Sequence, residues 1–331
     1  MMQCYLELLV TPVLLPSYDT QLLSPCVDEM TSPLADRIVN QREHNLKAFD
    51  FHRELYPMRV LITGASGQLG VELSKLLSRK HDVIKVYNSS EISDGYRLDL
   101  TDFPRLEDFL IRKRPDVVIN SAALTDVDRC EVEKERAHKV NAETVRHMVR
   151  VGRVVDAYLI HVSTDYVFAG ERGNYREEDT PNPVNYYGLS KLLGETYAMS
   201  YDDSLVVRTS GVFRHKGFPV YVYKTLKEGK TLLAFNGFYS PISARRLAQA
   251  IEELVDLRKT GVLHVAGERV SRYELAMKIK EEFHLPGEVR EVNEIKGWIA
   301  KRPLDSSLDS SRARKLLSVD FQALDIEGMV I

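Results

Sequence analysis

Cysteine is nearly missing from this sequence: Cys4, Cys26 and Cys130 are its only three, and no pair has a disulfide or metal-site spacing. That scarcity excludes a cystine-stapled secreted scaffold and fits a reducing cytoplasm. The nine histidines meet no acidic metal motif, so no metal is expected. Long hydrophobic runs are missing too. No stretch approaches the ~18 consecutive apolar residues of a membrane span, so no membrane association is expected. Residues 4–15 are apolar, but Glu7 and proline interrupt them and no basic leader precedes them, which argues against a secretory signal. Neither sign of charge dominates, with 45 basic against 48 acidic residues. No basic stripe interleaved with aromatics occurs, so nucleic acid is not an expected partner. The short run Arg112-Lys113-Arg114 reads as the solvated end of a helix.

Hydrophobic residues make up 44% of the 331, enough for one large core or two modest ones. Residues 1–57 mix short apolar runs with Pro12, Pro16, Pro25 and Pro33 and show no sustained period. They read either as an extension outside the main fold or as an arm packed on the surface or on a partner subunit. From Arg59 onward, short β-branched runs alternate with helical patterns. Strands are expected at 59–63, 82–87, 96–98, 116–120, 157–163 and 205–208, with helices at 68–79, 103–113, 131–151 and 186–200 between them. This alternation predicts an α/β fold with a Rossmann-type, doubly wound parallel sheet over 58–208. Residues 209–331 are expected to form mainly a smaller C-terminal substrate-binding lobe, with 236–266 returning to the first domain. In that last third, helices are expected at 218–228, 244–259 and 271–283 and a strand at 262–265, with Ser271 and Glu274 forming a capping box.

The sharpest local motif is Gly64-Ala65-Ser66-Gly67-Gln68-Leu69-Gly70, between a predicted strand and a predicted helix. A helix N-terminus offers unpaired N–H groups to a pyrophosphate, and glycines let the backbone come close. Gly64, Gly67, Gln68 and Leu69 are therefore candidate dinucleotide contacts, although the spacing is GxxGxxG rather than GxGxxG. The second strand ends Val86-Tyr87-Asn88-Ser89, without the acidic residue that binds the ribose of NAD. Asn88 and Ser89 are neutral donors that tolerate a 2′-phosphate, which favours NADP(H) while leaving NAD(H) usable. No arginine stands there to grip that phosphate. Asp99 is placed to accept from an adenine amino group, and equally to cap a turn.

Tyr187 and Lys191 stand four residues apart, about 40° around one helical face, whereas Tyr186 would lie about 140° from the lysine. A lysine cation beside a phenol favours the phenolate and brings a pKa of ~10 toward the working range. The spacing alone also describes an exposed helix pair. Position strengthens it, because Thr164 ends a central strand where its hydroxyl can meet a substrate carbonyl. His161, inside that strand, reads as a packed core residue.

These segments, from Met58 to about Asp309, resemble the dTDP-4-dehydrorhamnose reductase family of extended short-chain dehydrogenases/reductases. The resemblance is carried by TGASGQLG, LDLTD, VVINSAALTDVDRCE, the Val140-Asn141-Ala142 step, STDYVF, NYYGLSK, Arg208-Thr209-Ser210, YSPISA and RPLDSSLD. It implies reduction at C4 of a dTDP-linked 4-keto-6-deoxysugar by NADPH, with Tyr187 protonating the oxygen. Lys191 would hold the nicotinamide ribose and lower the tyrosine pKa, Thr164 would bond the carbonyl oxygen, and Asp165 would contact the sugar. Gly67, Gln68, Leu69, Asp99, Leu100, Ala123 and Thr125 match positions lining the cofactor. Tyr166 after Asp165 disfavours a dehydratase, which usually carries an acidic pair there. Gly211 replaces a tryptophan often found after Arg-Thr-Ser in the family, near the sugar. Two alternatives stand beside this reading: an NADP-binding regulatory subunit resembling the methionine adenosyltransferase β subunit, and another sugar-nucleotide reductase or epimerase. The expected partner is a nucleotide-sugar substrate, and a homodimer is compatible with it.

Overall fold

The computed structural model describes residues 57–326 and 329. The reading of residues 1–57 as an extension lies, except for Pro57, outside them. The described unit opens with β1 (Arg59–Thr63), α1 (Gln68–Leu77), β2 (Asp82–Tyr87), β3 (Gly95–Arg97), α2 (Phe103–Lys113) and β4 (Val117–Asn120). There follow α3 (Val127–Val132), α4 (Lys134–His138), α5 (Thr144–Val155), β5 (Tyr158–Thr164), α6 (Tyr186–Met199) and β6 (Ser204–Thr209). The last third holds α7 (Phe218–Lys227), β7 (Thr231–Phe235), β8 (Phe238–Tyr239), α8 (Ala244–Leu257) and β9 (Gly261–His264). It ends with β10 (Val270–Ser271), α9 (Arg272–Glu282), β11 (Glu288–Val292) and α10 (Ser311–Leu316).

Seven strands form one parallel sheet in the order β3-β2-β1-β4-β5-β6-β9. All four residues of β4 and all six of β6 are buried, the continuous apolar pattern of strands covered on both faces. Alternation divides β1 between two cores. Val60 and Ile62 pack with Leu73 and Leu77 of α1 and Leu247, Ile251 and Leu254 of α8. Leu61 faces Leu106 and Leu110 of α2 and Val145 and Met148 of α5. The strand order reverses between β1 and β4, and a doubly wound sheet opens its binding crevice at that switch point. The fold is the expected Rossmann-type α/β sheet.

The single helix expected at 131–151 is instead broken into α3, α4, a π-helical turn at Lys139–Glu143, and α5. Glu133 leaves the helical region, with φ −102° and ψ 54°. In the π-turn, buried Asn141 accepts from the Leu124 N–H at 2.8 Å and donates to the Ser190 hydroxyl at 2.9 Å. A buried amide must find such partners, and the widened turn lets it reach them.

A smaller cluster joins α7 and α9 to β7 around Val222, Leu226, Leu232, Leu275 and Ile279. There β7 pairs with β11 in parallel, and β8 pairs with β10 antiparallel. Ser271 and Glu274 form the expected capping box on α9. Meanwhile α8 and β9 pack into the main sheet. No described helix is long and apolar enough to cross a membrane.

Candidate active site

Every site residue expected from the sequence, from Gly64 to Lys191, lines one cleft of about 740 Å³ at the carboxyl edge of the sheet. Tyr187 is among them and Tyr186 is not. At one end, Gly64 turns the chain with φ +65° and accepts from the Gly67 N–H at 2.8 Å. A Cβ on Gly70 would lie 2.2 Å from the Gly64 carbonyl oxygen, so only glycine lets α1 sit this close to β1. Gly67 starts α1 with no side-chain cap on the helix N-terminus. An uncapped ten-residue helix opening on a glycine cradle fits an anionic pyrophosphate.

Gln68 is placed at the cleft, but its side chain is committed elsewhere. Its Oε1 accepts from the backbone N–H groups of Arg214 and Lys216 at 3.0 and 2.9 Å, and Nε2 donates to Val212 O at 3.3 Å. With the Arg214–Glu72 ion pair at 2.6 Å, these bonds fasten the 212–216 loop to α1. Asp99 lines the cleft, and it caps a turn there: its Oδ1 accepts from the Thr101 N–H and hydroxyl at 2.9 and 2.7 Å. Those bonds hold its carboxyl below the usual range.

Asn185 caps α6 by accepting from the Gly188 N–H at 2.9 Å, which sets Tyr187 in the first turn. Tyr187 and Thr164 line the same cleft, and the Tyr187 ring meets Tyr166 edge-on at 5.9 Å. Burial pushes the phenol pKa up, with the Thr164 hydroxyl opposing. The Lys191 ammonium, expected to act on this phenol, is engaged elsewhere. The lysine is 2% exposed and donates to Val162 O at 2.7 Å, with His161 Nε2 3.4 Å away. A buried ammonium takes the acceptors within its reach, and these lie on β5 rather than on the phenol.

Asp165 also departs from expectation. Its carboxylate is 3% exposed and accepts from Thr164 at 3.0 Å, Ser210 at 2.7 Å and Ser306 at 2.6 Å. Burial raises its pKa, while the three hydroxyls pull it back down. With three of about four acceptor positions taken, Asp165 ties β5 to β6 and to the segment near Ser306 rather than reaching freely for a sugar.

Among the cleft residues that sequence reasoning missed are Tyr239, Arg272 and Arg136. Tyr239 packs on Gly211, where φ is +50° and a Cβ would lie 2.5 Å from the tyrosine ring. The space beside Gly211, where resembling proteins often carry tryptophan, is thus filled by another aromatic ring from β8. The Arg272 guanidinium stacks 4.4 Å from the Tyr239 ring centroid. Among the described residues, the Tyr239 hydroxyl has no partner. Tyr239 opens the YSPISA segment, but nothing local places it, Arg272 or Arg136 at the cleft, because each is brought in by a distant element.

Burial lowers Lys191 to about 8, with Glu195 opposing, against ~10.4 for an unfolded chain. Between those values the unfolded chain holds a proton that the native chain has released. The contribution of Lys191 to stability therefore rises with pH from about 8 to about 10.4. Melting temperatures of wild type and Lys191→Met across this range should diverge in slope; parallel curves would refute it.

The family model for the RmlD substrate binding domain matches residues 58–325. The solved structure of a hypothetical dTDP-4-dehydrorhamnose reductase from Sulfolobus tokodaii is 74% identical, covers 83% of this chain and 100% of its own, and superposes with a TM-score of 0.82. The Bacillus anthracis dTDP-4-dehydrorhamnose reductase, solved in complex with NADP, is 29% identical with a TM-score of 0.74, covering 82% of this chain and 97% of its own. A dTDP-4-dehydrorhamnose reductase from Aggregatibacter actinomycetemcomitans is 31% identical over 79% of this chain and 94% of its own. By this match over most of its length, with the cradle and the Thr164–Tyr187 pair in one cleft, the chain belongs to the dTDP-4-dehydrorhamnose reductase family.

Proposed function

We propose that this protein is an NADP(H)-dependent reductase of a nucleotide-linked keto-sugar, and that its substrate is dTDP-4-dehydrorhamnose, reduced at C4 to dTDP-rhamnose. The observation that carries the reading is the meeting of Thr164, Tyr187 and Lys191 in the one cleft that begins at the glycine cradle. The NADP complex of the Bacillus anthracis relative supports the cofactor, and NAD(H) remains usable.

Gly64, Gly67 and Leu69 hold the pyrophosphate against the α1 N-terminus. Asp99, Leu100, Ala123 and Thr125 receive the adenosine half, with Asn88 and Ser89 at its ribose. A bound dihydronicotinamide supplies the hydride that adds to the carbonyl carbon. Thr164 orients the carbonyl oxygen, and Tyr187 gives that oxygen its proton. Lys191, bonded here to Val162 O, would reach the ribose hydroxyls of the nicotinamide half with the cofactor bound. Arg272, a cation beside Tyr239, suits the phosphates of the sugar nucleotide.

The test is oxidation of NADPH by dTDP-4-dehydrorhamnose, with dTDP- and UDP-linked keto-sugars alongside. Turnover with the dTDP-linked 4-keto-6-deoxysugar is expected to exceed the others. No turnover with any of them would overturn the enzymatic reading and leave a dinucleotide-binding regulatory subunit.

A further inference from the structure

We infer that Arg136, assisted by Lys139, forms the subsite for the 2′-phosphate of the dinucleotide and sets the preference for NADP(H) over NAD(H). The inference rests on the dinucleotide reading above and deepens it. A side cavity of about 610 Å³ adjoins the main cleft, and the two share Asn88, Asp99, Thr101 and Arg136. Asn88 follows β2, and in a doubly wound sheet the end of the second strand is where the adenosine ribose lies. The ribose thus meets a neutral amide from its own strand and a guanidinium from α4. The break at Glu133 and the π-turn that follows leave residues 132–136, 139 and 140 along this wall.

Three cations and three carboxylates line that side of the cleft, and their pairings differ. Lys134 reaches Glu131 at 3.2 Å, and Lys139 reaches Glu135 at 2.7 Å. Asp99 is bonded by Thr101. Arg136 gives one nitrogen to Glu133 at a longer 3.2 Å, while the other oxygen of Glu133 is held by Arg129 at 2.6 Å. Turning Arg136 toward a phosphate therefore leaves Glu133 neutralised. Its side chain is 56% exposed, which leaves the guanidinium open to solvent and able to turn. A guanidinium presents five donors in a planar fork that matches a phosphate, with only one engaged by Glu133 here.

The experiment titrates wild type, Arg136→Gln and Lys139→Gln with NADP⁺ and with NAD⁺, following binding by calorimetry. A charge-assisted pair to phosphate corresponds to about tenfold to a hundredfold in affinity. Arg136→Gln should raise the Kd for NADP⁺ by that factor and leave the Kd for NAD⁺ within about twofold. Lys139→Gln should give a smaller loss with the same selectivity, and Arg136→Lys should recover part of it. Added salt should weaken NADP⁺ binding more in wild type than in Arg136→Gln. Equal losses for both dinucleotides, or an unchanged Kd for NADP⁺, would overturn the inference while the dinucleotide reading stands. Wild type binding neither dinucleotide would overturn both.

Discussion

Tyr187→Phe should lower turnover of the keto-sugar by at least ~10²-fold, the range lost when a positioned general acid is removed. The phenol is half-buried in the cleft that Thr164 also lines, and its raised pKa keeps it protonated through neutral pH. That is the state from which a proton is given to a carbonyl oxygen. Phenylalanine preserves the ring that meets Tyr166 edge-on, so folding should survive. It leaves the Thr164 hydroxyl to bond the substrate oxygen but with no acid at the reacting end. The Kd for NADP⁺ should stay close to that of wild type, which separates loss of chemistry from loss of the site. Near-normal turnover with Phe at 187 would remove Tyr187 from the mechanism.

Glu195→Ala should be the most destabilising single change near the site. Glu195 of α6 and Arg208 of β6 are 0% and 3% exposed, joined by three bonds at 3.0, 3.2 and 2.7 Å. The guanidinium also lies 5.2 Å from the Phe168 ring centroid and 3.4 Å from His264 Nε2, so it has no route to water. Removing one partner of a buried pair strands the other charge, at a cost of about 3–5 kcal/mol. At roughly 2–4 °C per kcal/mol for a domain of about this size, the melting temperature should fall by about 6–20 °C. Replacing both partners, as in Glu195→Leu with Arg208→Met, should recover most of the loss, because no charge is then left unpaired. Thermal unfolding of the single and double variants decides it. A shift below about 3 °C for Glu195→Ala would show that Arg208 finds another partner or is hydrated. Since Glu195 also favours the charged form of Lys191, the single variant should deprotonate that lysine at lower pH.

Much of this molecule follows from local rules. The glycine loop, the strands of β-branched residues and the register of Tyr187 over Tyr186 are legible because helical period, strand alternation and turn chemistry act over a few residues. The sheet and its crevice follow from those elements in order, since parallel crossovers have few topologies open to them. The long helix at 131–151 fails for a non-local reason. Its periodicity is continuous, but Asn141 needs Leu124 and Ser190, and only the packed fold brings them to it.

The sequence by itself determined that the residues at the carboxyl ends of β1, β2, β4 and β5 meet at one cleft, because those ends all open on the same edge. It could not determine which way their side chains point once there. Lys191 turns to Val162 O, Asp165 is saturated by Thr164, Ser210 and Ser306, and Gln68 clamps the 212–216 loop. Tyr239 takes the space beside Gly211, and Arg136 joins Asn88 from a helix beyond β4. Each outcome is a choice among partners distant in sequence. A buried polar group settles on whichever partner the packing brings within about 3 Å, and that distance is a property of the tertiary structure alone.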